Sequence, residues 1–94
     1  MSFNKTHVVF SIYDSKAESF STPFIQTTVG LAIRFLETLT KDPQTALNKY
    51  PEDHTLFRIG EWDERKGEIK MDTAPVSLAR SSDYIEDKVL KEAQ

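Results

Sequence analysis

The most constraining feature of the chain is a run from Val29 to Lys41 that carries the period of an amphipathic helix. Thr28, or Thr27, stands where a hydroxyl can accept from the first free backbone N–H groups of that helix. Lys41 suits the negative end of the helix dipole, and Pro43 disfavours helical geometry at Asp42 and stops the run. On a helical projection Gly30, Arg34, Glu37, Thr38 and Lys41 gather on one polar stripe. Val29, Leu31, Ala32, Ile33, Phe35, Leu36 and Leu39 occupy the rest. That apolar arc is wider than one sheet normally covers. Two readings follow: the chain's own loops cover the excess, or Leu31, Phe35 and Leu39 lie at a dimer or partner surface.

Such a helix needs a sheet to lie on, and the flanking segments supply strand patterns. Over His7 to Tyr13, Val8, Phe10 and Ile12 alternate with His7, Val9, Ser11 and Tyr13. Asp14-Ser15-Lys16 then reads as a turn. Pro23 pushes Thr22 toward extended geometry, and Phe20, Phe24 and Ile25 are expected to anchor this segment against the core. Thr55 to Trp62 and Glu68 to Asp72 read as a hairpin, with Gly67 supplying the positive φ such loops often need. Pairing Trp62 with Glu68 sets Ile59 opposite Met71 on the buried face and Arg58 opposite Asp72 on the other. A one-residue slip would place Ile59 against Asp72, so the first register is expected. After Pro75, Val76-Ser77-Leu78 fits an edge strand, and the tail from Ser82, with Tyr84, Ile85, Val89 and Leu90, fits a short amphipathic helix that frays.

The expected fold is therefore α+β: a small antiparallel β-sheet with one main α-helix on one face and a short C-terminal helix. Val8, Phe10, Leu36, Ile59 and Met71 are expected to share its core. Ninety-four residues fit one domain, with a core over about residues 7–80 and a flexible tail over 81–94. A chain this short buries a modest core, and self-association, as a homodimer, would cover more.

Composition narrows the chemistry. Without cysteine there is neither a disulfide framework nor a thiolate metal site. The histidines are His7 and His54. His54 lies near Glu52 and Asp53, but adjacent acidic residues after Pro51 are better read as solvating a turn, so no metal is assigned; His7 reads as exposed. Gly30, Gly60 and Gly67 are too scattered for a phosphate loop. No catalytic constellation is legible, no cofactor is implied, and the chain reads as a binding protein and not an enzyme. No apolar run approaches a membrane span, and a cytosolic location is the simplest expectation.

A net charge of −3 argues against sequence-independent nucleic-acid binding through many phosphate contacts. One local patch runs the other way. In the expected register Arg58, Trp62 and Lys70 are neighbours on the outer face, with Tyr13 joining from the first strand. Aromatics among cations are the makings of a stacking platform for single-stranded DNA. The same residues also fit a Trp62 that merely covers the hairpin end, or a protein contact, and Glu68 and Asp72 dilute the positive charge.

Three stretches, taken in order, carry a family resemblance. They are Val9-Phe10-Ser11-Ile12-Tyr13-Asp14-Ser15-Lys16-Ala17; Pro23-Phe24 with Val29-Gly30-Leu31-Ala32-Ile33-Arg34-Phe35; and Pro51 to Asp63 with Gly67-Glu68-Ile69 and Pro75-Val76-Ser77-Leu78. Together they resemble the small nonstructural protein of gokushoviruses, microviruses with circular single-stranded DNA genomes that infect bacteria. The resemblance spans roughly residues 8–80. It departs at Tyr50 and His54, where the family often carries the histidine before the Pro-Glu-Asp and an aromatic after it. The resemblance implies a protein of the infected bacterial cytoplasm, absent from the capsid, that acts in viral genome replication or packaging. The partners it implies are single-stranded DNA or viral or host replication proteins. A homodimeric interaction module without DNA contact is the competing expectation.

Overall fold

The computed structural model describes residues 6–85. The first strand, β1 (Thr6–Asp14), is followed by two short strands, β2 (Ser19–Phe20) and β3 (Phe24–Gln26). Helix α1 (Val29–Lys41) and one turn of helix, α2 (Ala46–Lys49), come next. A 3-10 turn over Pro51–Asp53 leads into β4 (His54–Asp63) and β5 (Glu68–Arg80), and a second 3-10 turn covers Ser81–Tyr84. The five strands form one antiparallel sheet in the order β2-β1-β4-β5, with β3 pairing β1 beyond β2. The architecture is α+β, as the sequence implies: a curled sheet with α1 on one face.

Helix α1 begins and ends where local chemistry dictates. The Leu31 N–H donates to Thr28 Oγ1 at 3.1 Å, and Asp42 leaves the helix with extended backbone ahead of Pro43. Its inner face buries Ala32, Leu36 and Thr40. The core consists of Phe10, Ile12, Ala32, Leu36 and Leu56, with Val8, Phe24, Ile33, Leu39, Leu47 and Tyr84 among the side chains packed around it. Each fully buried Leu or Phe contributes on the order of 1.5–3 kcal/mol. Thr40 is a polar residue inside this core. Its hydroxyl donates to Leu36 O at 2.8 Å and lies 3.0 Å from Ser81 Oγ, tying the helix to the second 3-10 turn.

Several expectations are corrected. The hairpin register is the one-residue slip: Trp62 faces Ile69, Glu61 faces Lys70 and Gly60 faces Met71. The reason is that the penalty for the slip never arises. Ile59 bulges out of the ladder between Arg58 and Gly60, so it never opposes Asp72. Met71 is consequently 62% exposed and, like Ile59, lies outside the core. Arg58 nevertheless reaches Asp72, but across the bulge and not from the facing position. The strand after Pro75 is no separate edge strand: β5 runs unbroken from Glu68 to Arg80. Pro75 falls in the unpaired stretch between Met71 and Val76, where its missing N–H leaves no ladder bond unmade.

The segment after the first turn holds two short strands, β2 and β3, with residues 21–23 between them outside any strand. Phe24 packs against the core, while Phe20 and Ile25 stay exposed because their partners Tyr13 and Val9 point to the opposite face of the sheet from α1. That outer face is not simply solvated: Val9 and Ser11 are buried there, and His7 is half-buried with an Nδ1 that has no hydrogen-bond partner. The expected C-terminal helix is a 3-10 turn as far as Tyr84, and Val89 and Leu90 lie outside the described residues.

Candidate functional site

Directly opposed residues of an antiparallel ladder point to the same side of the sheet, and this sorts the sequence-predicted DNA residues. Trp62, facing His7 and Ile69, is on the outer side; Lys70, facing Glu61 and through it Val8, is on the side of α1. Arg58 faces Phe10 and so also lies on the α1 side. Its Nε donates to Asp72 Oδ2 at 3.0 Å and its Nη2 to Glu61 Oε2 at 2.9 Å and Asp72 Oδ1 at 3.3 Å. The hydrogen bond that Arg58 donates to Glu61, and after it those to Asp72, outweigh desolvation and hold the guanidinium pKa above its ordinary value. One cation is thus held by two carboxylates. Tyr13 faces Thr55 at the far end of β4 and joins Phe20 and Phe57 in a ring cluster, with centroids 4.8 and 6.3 Å away. The four residues do not converge.

The helix residues proposed for a partner surface fare differently. Leu31 and Phe35, one turn apart, are 36% and 38% exposed, whereas Leu39 packs against the core. The chain's own segments therefore cover part of the wide arc, and Leu31 with Phe35 make up the part left open. Phe35 leans on Phe24, ring centroids 5.0 Å apart, and that contact builds one wall of a groove.

The groove has a volume of about 600 Å³ and runs between α1 and the β2–β3 segment. Ile12, Phe24, Phe35, Leu39 and Leu47 are among its apolar lining, Ser19, Ser21 and Thr22 add polar residues, and Asp14 and His54 line it where β1 and β4 meet. The volume falls in the range of ligand-binding clefts, which combine apolar walls with few polar groups. A second hollow of about 470 Å³ shares Asp14, Ala17 and His54 with it and adds Lys16, Tyr50 and Asp53.

Asp14 and His54 face each other across β1 and β4. His54 is 5% exposed, not the solvated turn residue its acidic neighbours suggest. Its Nδ1 lies 2.9 Å from Tyr50 O, and its Nε2 3.5 Å from Asp14 Oδ2. The other Asp14 oxygen accepts from the Lys16 and Ala17 N–H groups at 2.9 and 3.3 Å. Burial pushes the Asp14 pKa up, but those two N–H groups and His54 outweigh it and hold the carboxyl below its ordinary value.

Strand pairing joins positions forty residues apart to make this part of the groove, which explains why sequence reading missed it. Only a Thr45 cap, with the Asn48 N–H donating to its hydroxyl at 3.2 Å, marked the turn of helix that brings Leu47 to the wall. Among the described residues no cluster of three or more His, Asp or Glu is placed to hold a metal ion, and no helix is long and apolar enough to cross a membrane.

The sequence profile of the phage ORF5 protein family matches residues 7–84, from the start of the first strand pattern to the second 3-10 turn. The chain belongs to the phage ORF5 protein family. The match takes in every element that builds the groove. No curated protein matches the chain, and no solved structure does. The groove of this phage ORF5 protein therefore has to be read from its own geometry.

Proposed function

We propose that this phage protein is a non-structural accessory factor of a gokushovirus-type microvirus, acting in the bacterial cytoplasm during single-stranded DNA genome replication or packaging. It acts by holding a protein partner, viral or host, and catalyses nothing. The context rests on the resemblance over residues 8–80 together with membership of the phage ORF5 family. One observation carries the mode of action: Phe35 and Leu31 stand open beside an apolar groove, on the helix that the wide apolar arc marks out. For Arg58 to contact a phosphate it would have to release Asp72 and Glu61, in a chain of net charge −3.

Labelled single- and double-stranded oligonucleotides titrated over a range of ionic strength test this reading, beside titrations with the phage's own replication and capsid proteins. Expected is saturable binding to one of those proteins that Phe35→Glu abolishes, with no salt-dependent DNA affinity. A steep fall of DNA affinity with salt, lessened by Lys70→Ala, would overturn it in favour of direct DNA contact. The i, i+4 spacing of Leu31 and Phe35 also fits a second copy of the chain as the partner. Sedimentation of the wild type against Phe35→Glu decides that: a dimer that the substitution splits supports it, and a monomer at high concentration excludes it.

A further inference from the structure

The sheet has a second apolar side, and it is not the one that α1 covers. We infer that two copies of the chain stack this outer face against each other, with the sheets inside the dimer and the helices outside. The surface is not the one proposed at Phe35, and the inference stands without that reading.

An antiparallel sheet that packs one face on a core ordinarily turns polar residues outward on the other. Here the outer side is apolar. Phe20, Ile25, Ile69 and Met71, each between 42% and 62% exposed, fall on it, with the half-buried Tyr13, Phe57 and Trp62. The row Ile25, Val9, Gly60, Met71 crosses the sheet from β3 to β5, so the face is continuous. The charges lie elsewhere. Among the described residues that the ladder places on the outer side there is no Asp, Glu or Lys, and Arg80 stands at the end of β5. Arg58, Glu61, Glu68 and Lys70 all fall on the side of α1.

Area and composition name the occupant. The large side chains of this face leave on the order of 500 Å² of apolar surface open, toward the upper end for the largest patch of a monomer. With the flanking Thr55, Ser77 and Arg80 the face approaches the roughly 800 Å² that each partner gives to a specific interface. Aromatic rings and methionine without charge are the composition of interfaces between copies of one chain, which are more apolar than those made with transient partners. A different partner would find no carboxylate or ammonium here to steer it or fix its register. A second copy needs none: a two-fold axis sets the apolar face against itself, with Arg80 at the rim.

Sedimentation of the full chain, read beside the emission of its one tryptophan, tests the inference. Expected is a dimer whose formation moves Trp62 emission to shorter wavelength as concentration rises, because Trp62 lies on the stacked face. Met71→Glu should weaken association by about thirtyfold or more and abolish that shift, since it sets a charge in an apolar contact. Ile25→Lys should do the same from the opposite edge of the face, and circular dichroism checks that both variants fold. Val76→Glu, on the same exposed strand as Met71 but turned to the α1 side, should leave the dimer intact, and so should Phe35→Glu. A monomer at high concentration overturns the inference, as does a dimer that neither Met71→Glu nor Ile25→Lys splits. A dimer split by Phe35→Glu or Val76→Glu instead overturns it in favour of the helix side or the free edge of β5. A viral protein that binds over Phe20 and Met71 while the chain alone stays monomeric gives the face to a different partner and also overturns it.

Discussion

The molecule builds the same turn twice and anchors it differently. At the β1–β2 turn, Asp14 Oδ1 accepts from the N–H groups of Lys16 and Ala17, and Glu18 N–H donates to Asp14 O at 2.8 Å. At the β4–β5 turn, Asp63 Oδ1 accepts from Arg65 and Lys66, and Gly67 N–H donates to Asp63 O, also at 2.8 Å. The fifth residue takes positive φ in both, 58° at Glu18 and 68° at Gly67. The second turn has glycine where left-handed backbone requires it; the first has a glutamate, at a cost of about 1–2 kcal/mol.

The difference lies in what surrounds the turns. The β4–β5 turn projects, exposed from Glu64 through Gly67, and its hydrogen bonds run within itself. The β1–β2 turn is tied to the rest of the fold: Ser15 N–H donates to Asp53 O at 2.9 Å, Asp14 faces His54, and the Tyr13 and Phe20 rings both meet Phe57 of β4 edge-on. Tertiary contacts hold Glu18 in a conformation its side chain disfavours, and strain held in this way recurs at functional sites. Here it borders the groove, whose lining includes Ala17 and Ser19.

The largest effect in either hairpin is expected away from the turns, at Gly60. A Cβ there would sit 2.6 Å from Lys70 O and 3.2 Å from Met71 Cα, both backbone, so β5 must move away. Gly60→Ala should destabilise by about 2–3 kcal/mol in urea denaturation, the cost of overpacking. An effect near zero would mean that the β4–β5 pairing is loose at the bulge.

Next come the two turn aspartates. Asp63→Ala should lower stability by about 1 kcal/mol, the worth of its exposed turn hydrogen bonds. Asp14→Ala should lower the melting temperature further, because that residue also faces His54. The pH dependence separates them. The Asp14 carboxyl has a folded-state pKa below the ordinary 3.8, so its stabilisation is present above that value and lost as pH falls through the lower one. The gap between wild type and Asp14→Asn should therefore close in acid below about pH 4. A gap that persists there would show that shape, not charge, makes the first turn.

The two positive-φ positions bring changes no larger than these, and of opposite sign. Gly67→Ala should destabilise by about 1 kcal/mol, since nothing crowds the site and only the backbone objects. Glu18→Gly should stabilise by about 0.5 kcal/mol, the relief of left-handed strain less the added freedom of the unfolded chain. If Glu18→Gly also weakens binding of the protein partner while raising stability, the strain belongs to the groove.

Local chemistry made the helix ends, the turns and the strand pattern readable from sequence, because a cap, a proline or an alternation acts within a few residues. Thr28, Pro43 and Gly67 do what their types predict. The face each strand residue takes was decided only in the tertiary structure. A bulge at Ile59 resets the alternation, so Arg58 and Lys70 turn toward the helix side while Trp62 turns away. Likewise the apolar arc of α1 was legible, but not which part stays open; Leu39 is covered by packing that the sequence distributes over distant elements, and Phe35 is not. The Asp14–His54 part of the groove lay furthest from view. It exists because β1 and β4 pair in one particular register, and a register is the joint outcome of every side chain on both strands, with no short signature of its own.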